Sequence, residues 1–240
     1  YKGNQTTPDF GLVDASNKWT PDHLLLDTAY MVVKLTYDQE KFAQGLPNIS
    51  TVIRGKKVLD PTSIAADQIV SGKRYRIVTA GDTDFTAIGA TANTVGTVFN
   101  ATGTTSGSGT VFIIDWSQNP ALCIYDYLRD TKYGLGETES NILTSSVTTA
   151  KGVSNQSINL SGTGSQARYT IDGVVDTANS IKSNIETMIG SMAGRLVYSG
   201  GKFEVHAGEY VAPTVTIDES MIIGEISVQT KQSRRNAYNG

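Results

Sequence analysis

The chain has 240 residues with 20 basic and 23 acidic side chains, a net charge of −3 and 39% hydrophobic residues. That is enough apolar material for one large β domain or two to three smaller ones. The charge balance excludes a broad basic face for polyanions, a single cysteine excludes an internal disulfide, and no run of about 18 apolar residues could span a bilayer.

The opening residues, YKGNQTTPDF, lack an initiator Met and the basic-then-apolar pattern of a secretory signal, so the sequence reads as a segment of a longer polypeptide. Residues 29–37, AYMVVKLTY, are β-branched and aromatic and predict a strand. After the turn GLPN, STVIRGKKVLD (50–60) predicts a second strand, ending at Pro61.

The composition then changes. Phe85 to Ile114 carries no charged residue, and Thr, Gly, Ala and Ser dominate it. Because its flanks KRYRIVTAG and TVFIIDW are strand-like, residues 62–113 read as a small β module inserted into a host rather than as disorder. The sequence beyond it, NPALCIYDYLRDTKYGLG, predicts a helix. Asn119 supplies the N-cap and Pro120 the first position, where a missing N–H costs nothing. Ala121, Ile124, Tyr125 and Leu128 follow at i, i+3, i+4 and i+7 and make one apolar face. Lys132 suits the negative end of the dipole, and Gly134 is expected to close the helix in the left-handed conformation. Cys123 lies inside this pattern and reads as a buried structural thiol.

The turn-rich stretch 144–166 is expected to be a boundary, followed by a strand at ARYTIDGVV (167–175). Ile181, Ile185, Met188, Ile189 and Met192 form an amphipathic helix that stops near Gly194. In RLVYSGGKFEVHAG, Gly200 and Gly201 make a two-residue hairpin turn that pairs Tyr198 with Phe203 and Leu196 with Val205. A last strand pair is expected at PTVTIDE and GEISVQT, with the basic residues Lys231, Arg234 and Arg235 beyond it.

Material for catalysis is poor. His23 and His206 are isolated, and DTDF (82–85) and TIDES (216–220) bring carboxylates together without the spacing of a calcium loop. The glycines at 103, 107 and 109 open neither a Walker loop nor a dinucleotide-binding turn. The expectation is a protein that is not an enzyme, with no catalytic, cofactor-binding or metal residues.

Five phrases, in order, are distinctive: GLPNISTVIRGKKVLDP, WSQNPALCIYDYLRDTKYGLG, ARYTIDGVVDT, MAGRLVYSGGKFEVHAGEY and EISVQTKQSRRNAYNG. Together they resemble the tail-tip attachment, or host-specificity, proteins of long-tailed bacteriophages. The resemblance covers nearly the whole chain outside the inserted module. It implies a virion location at the tail tip and a mainly β fold with α+β character, built from hub-type β-barrel domains with two amphipathic helices. The implied division is a first hub domain over 1–61 plus 114–145, the inserted module over 62–113, and a second hub α+β domain over 146–240. The implied role is a homotrimeric baseplate-hub ring that closes the tail tube and supports receptor recognition and DNA delivery.

Its implied partners are other copies of itself, the distal tail, tail tube and tape measure proteins, and a bacterial receptor met through other parts of the full chain. No cofactor, membrane span or sequence-specific nucleic-acid contact comes with it. The structural residues of this reading are Asn119, Pro120, Ala121, Ile124, Tyr125, Leu128, Gly134, Gly200 and Gly201, the helix bracing or plugging a barrel. An alternative is a carbohydrate- or receptor-binding module centred on the uncharged insertion, whose aromatics Tyr75, Phe85, Phe99 and Phe112 would have to be exposed.

Overall fold

The computed structural model describes residues 5–225, except 16, 17, 27, 37, 44 and 214. The chain forms two compact units, residues 1–53 and 54–240. In the first, helix α1 (Phe10–Ala15) starts at Asp9, whose carboxylate accepts the Leu12 N–H at 2.9 Å. The Gln5 amide donates to the carbonyls of Leu24 and Leu25 at 2.6 and 2.7 Å. The strand expected at 29–37 is not formed over its described residues, where only Ala29 makes a single bridge. Its composition suits a pleated surface, but a strand exists only with a neighbour to complete its hydrogen bonds.

The second unit is a mixed α and β body with antiparallel sheets; among the described residues no sheet closes into a barrel. Strands β1 (Lys57–Ala65), β2 (Arg74–Thr79), β3 (Val98–Asn100) and β4 (Thr110–Trp116) form one sheet in the order β1-β4-β2-β3. The strand predicted over 50–60 therefore begins later, at Lys57, and does not end at Pro61. It continues through a register shift between Leu59 and Ser63. Proline lacks the ladder donor, and an irregularity of this kind is where a strand tolerates it.

Successive residues of β2 and β4 face opposite ways, and each face of this sheet covers a different core. Tyr75, Ile77 and Val111 turn toward Phe85, Ile88 and Phe99, all buried in a core of the module's own. Val58 and Leu59 instead belong to a second core with the helices, against which Phe112 and Ile114 pack.

That second core is built on three helices: α2 (Pro120–Arg129), α3 (Thr144–Ser154) and α4 (Ile181–Gly190). Helix α3 occupies part of the stretch expected to be a turn-rich boundary, and it buries Val147, Ala150 and Val153. A short exposed hairpin, β5 (Ser157–Asn159) with β6 (Ser165–Ala167), follows it. The strand expected at 167–175 is reduced to its first residue. The rest runs as connecting chain, tied down by the N–H groups of Tyr169 on Ser154 and Ile171 on Gln118.

Helix α4 starts at Ser180 and buries Ile185 and Met188, while Ile181 is exposed. Strands β7 (Arg195–Ser199) and β8 (Lys202–His206) pair in the expected register, Tyr198 with Phe203 and Leu196 with Val205. Gly200 and Gly201 have φ of 57° and 80°, the positive values that this turn requires. The strand expected at 213–219 is absent from its described residues, and its expected partner at 224–230 lies almost wholly outside them, as do Lys231, Arg234 and Arg235.

Candidate functional site

The best-specified structure is the junction where α2 meets the four-stranded sheet and α3. Asn119 caps α2 with its side-chain oxygen, which accepts the N–H groups of Ala121 at 3.1 Å and Leu122 at 3.4 Å. Its amide nitrogen donates the other way, to the Lys151 carbonyl at 3.1 Å and Asn155 Oδ1 at 2.8 Å, so one buried side chain ties the start of α2 to the end of α3. Pro120 is buried at the first position. Ala121, Ile124, Tyr125 and Leu128 are all completely buried.

Gly134 does not take the left-handed conformation; the helix ends earlier, at Arg129, and the positive φ of 76° belongs to Gly136. Gly134 is needed for space instead. A Cβ there would fall on the carbonyl oxygen of Tyr127. The turn brings Leu135 and Glu137 back to donate to the Tyr127 and Leu128 carbonyls at 3.1 and 2.8 Å, which satisfies acceptors that the helix end leaves open. Lys132 lies past the helix, over the Tyr133 ring at 4.9 Å.

Charged groups fasten this junction from three sides. Arg76 of β2 and Arg129 of α2 both pair with Glu139 at 2.7 Å, and the Tyr125 hydroxyl reaches the same carboxylate at 3.3 Å. Each guanidinium also lies over a ring, Arg76 over Phe112 at 5.2 Å and Arg129 over Tyr125 at 4.9 Å. Partial burial works to raise the Glu139 carboxyl, but the Arg76 hydrogen bond and the two arginine charges outweigh it and hold the group below its ordinary value. Burial is the main cause of the Tyr125 hydroxyl being pushed up to about 12.

On the second side, Lys56 sits between Asp126 and Asp130 at 2.6 and 2.7 Å. The Lys56 hydrogen bond, with the N–H groups of Tyr133 and Lys132, holds Asp130 down to about 2. These residues and Arg129, Thr131 and Lys132 line an open depression of about 360 Å³. On the third side, Lys151 of α3 reaches Asp60 of β1 at 2.5 Å.

The residues considered for chemistry lie apart from one another. His23 stacks on Trp19 at 5.2 Å and His206 faces Glu204 at 3.3 Å. Asp82 accepts from the Ser108 N–H and hydroxyl at 2.6 and 2.8 Å, Asp84 receives the Thr86 N–H at 3.0 Å, and Asp218 receives the Ser220 N–H at 2.9 Å. These carboxylates organise turns. Cys123 is half-buried, and burial, reinforced by Asp126 and Asp172, pushes its thiol up to about 11, away from the reactive thiolate. Among the described residues, no three His, Cys, Asp or Glu side chains are grouped to hold a metal ion, and no helix is long and apolar enough to cross a membrane. Of the module's aromatics, Tyr75, Phe85 and Phe99 are buried in its own core and Phe112 packs against the helices, which leaves no exposed aromatic platform among them.

Sequence reasoning did not find Arg76, Glu139 or Lys151. Arg76 and Glu139 are 63 positions apart, and nothing local marks either as half of a pair. No protein-family model and no curated protein matches the chain.

Proposed function

We propose that the chain is a structural baseplate-hub segment of a tail-tip attachment protein of a long-tailed bacteriophage. In this reading three copies form a ring around the tail axis, next to the distal tail, tail tube and tape measure proteins, and the barrel of the hub closes only on assembly. The ring carries the receptor-binding parts of the full chain and leaves a path for DNA.

One observation supports the reading most. Phrases that carry the resemblance meet in a single core: Val58 and Leu59 from the first, Ala121, Ile124, Tyr125 and Leu128 from the second, and Met192 and Val205 from the fourth. Segments distant in sequence that share one interior form a mechanical body. The depression beside Lys56 is open, and the Lys56 ammonium in it is already paired with Asp126 and Asp130, which suits a brace better than a substrate pocket.

The test is to label the chain in purified virions and determine its position and copy number by electron cryomicroscopy. Three copies at the tail tip are expected, with the isolated segment monomeric or weakly associating. Six copies at the tip, a stable two-fold dimer there, or a location elsewhere in the particle overturns the proposal.

A further inference from the structure

The β7–β8 hairpin has one finished edge and one open edge. In an antiparallel pair closed by a two-residue turn, alternate residues direct their backbone groups inward to the partner and outward. On β8 the outward residues are Phe203 and Val205, and both are engaged: the Phe203 carbonyl accepts the Leu143 N–H at 2.9 Å, and the Val205 N–H donates to Ser146 Oγ at 3.0 Å. By the same alternation, the outward residues of β7 are Leu196 and Tyr198. Among the described residues β7 has no second neighbour, and neither residue makes a backbone bond on that side.

The same unit also contains an exposed segment with a strand-like sequence pattern and no partner among the described residues. Tyr210, Val211, Val215 and Ile217 are 85%, 76%, 67% and 76% exposed, and residues 210–213 and 215–217 make no backbone hydrogen bond to another described residue. Val215 and Ile217 alternate with Thr216, the pattern of a strand with one apolar face.

We propose that residues 215–218 of one copy add to the open β7 edge of a second copy of this chain, as an antiparallel third strand. The register that pairs Val215 with Tyr198 and Ile217 with Leu196 satisfies each side at once. It aligns the two residues' backbone groups with the two unpaired residues of β7. It also extends the apolar face already made by Phe203 with Tyr198 and Val205 with Leu196. Asp218 then falls opposite Arg195, a complementary charge at the end of the strand. Pro213 falls opposite Gly200, in the turn, where its missing donor leaves no ladder bond unmade. A two-stranded hairpin gains most from a third strand, and main-chain pairing of this kind is an established mode of association. Because donor and acceptor are different surfaces, the contact is heterologous, and repeated by a rotation it closes a ring.

The inference deepens the ring proposed above by naming the strands that meet, and its test does not depend on the virion. Tyr198→Cys and Val215→Cys are placed on separate, differently tagged chains in a Cys123→Ala background, mixed, and oxidised at the highest soluble concentration. Directly opposed residues of an antiparallel pair lie about 4.5–5.5 Å apart, within disulfide reach. The expected result is a mixed cross-link forming about tenfold faster or more than the link between Tyr198→Cys and the exposed control Val95→Cys. Adding Ile217→Asp to the donor should abolish it; this side chain lies outside both cores, so folding is unaffected. A link that forms only within one doubly substituted chain, at a rate independent of concentration, overturns the proposal in favour of a strand folded back on its own sheet. No mixed link above control overturns it as well. Three copies at the tail tip without this link would leave the hub reading standing and remove this interface, whereas the link without a tail-tip location would do the reverse.

Discussion

Asn119→Asp separates the role of this residue in α2 from its role between helices. For an isolated helix the change is neutral or favourable, because Asp and Asn cap about equally well and a negative charge near the N-terminus gains about 0.3–1 kcal/mol. In the folded chain the amide nitrogen of Asn119 lies 3.1 Å from the Lys151 carbonyl and 2.8 Å from Asn155 Oδ1. A carboxylate oxygen there faces two acceptors in a buried site. Asn155 can turn its amide and recover one contact, but the Lys151 carbonyl, fixed at the end of α3, cannot. The expected loss is about 1–3 kcal/mol, the range for a buried polar group deprived of its partner. With a urea slope of about 2 kcal/mol per molar, the unfolding midpoint falls by roughly 0.5–1.5 M near neutral pH. The deficit narrows on acidification, because a protonated carboxyl regains one donor. Trp116 fluorescence, just before the helix, provides the signal. A midpoint equal to or above that of the parent chain would refute the bridging role and leave Asn119 as an ordinary cap.

Leu128→Ala removes a completely buried side chain from the central core and should cost about 2–5 kcal/mol, read as a lower urea midpoint at unchanged slope; an unchanged midpoint would mean that the α2 face is not packed as described. Asp130 and Glu139 both titrate below their ordinary values in the folded chain, so each contributes stability that is present above its unfolded pKa and lost as pH falls through its folded one. Melting temperature should therefore drop as pH falls from the ordinary carboxylate range toward about 2, and Lys56→Met should flatten the part of that drop due to Asp130. Deleting 62–113 and rejoining the ends with a short turn should destabilise or unfold the remainder, because it removes Phe112 and Arg76 from the helix side of the sheet; a product as stable as the parent would show that the helical body needs neither.

What was legible in the sequence was written in local signals. Asn119-Pro120 followed by apolar residues at helical spacing needs only its own neighbours to be a helix, and Gly200-Gly201 fixes a turn and with it every pair of its hairpin. Helix α3 was missed because its signals are weak. Thr and Ser favour turns, Gly152 interrupts, and its buried stripe rests on small side chains. In the fold the hydroxyls of Ser146, Thr148 and Thr149 bond back to the Leu143 and Ser145 carbonyls at 2.7–2.9 Å, so these residues are satisfied within the helix itself. Strand patterns fail for a different reason. Residues 29–37, 167–175 and 213–219 have the composition of strands, but composition cannot name the partner that turns an extended segment into a ladder. Gly134 was singled out correctly and for the wrong reason: its requirement is distance to the Tyr127 carbonyl, which depends on a chain reversal that no short motif records. The Arg76–Glu139–Arg129 group has no local signature, since its members lie on three elements.

The uncharged stretch suggests an appendage, but its physical attachment says otherwise. A sheet has two faces, and a module that used only one for its own core would leave the other wet or flexible. Here β2 and β4 give one face to Tyr75, Ile77 and Val111 and the other to Arg76, Phe112 and Ile114, so the same strands serve two interiors. Rotating the module about the body would strip Phe112 and Ile114 from the helix-side core and take Arg76 from Glu139, leaving Arg129 as its one cationic partner among the described residues. Motion of that kind exposes apolar surface and a half-buried charge together, two costs with no compensation from any mobile linker. In the ring proposed above, such a module would keep a fixed orientation to the axis, and its Asp82–Ser108 contact would be carried at a fixed angle to it.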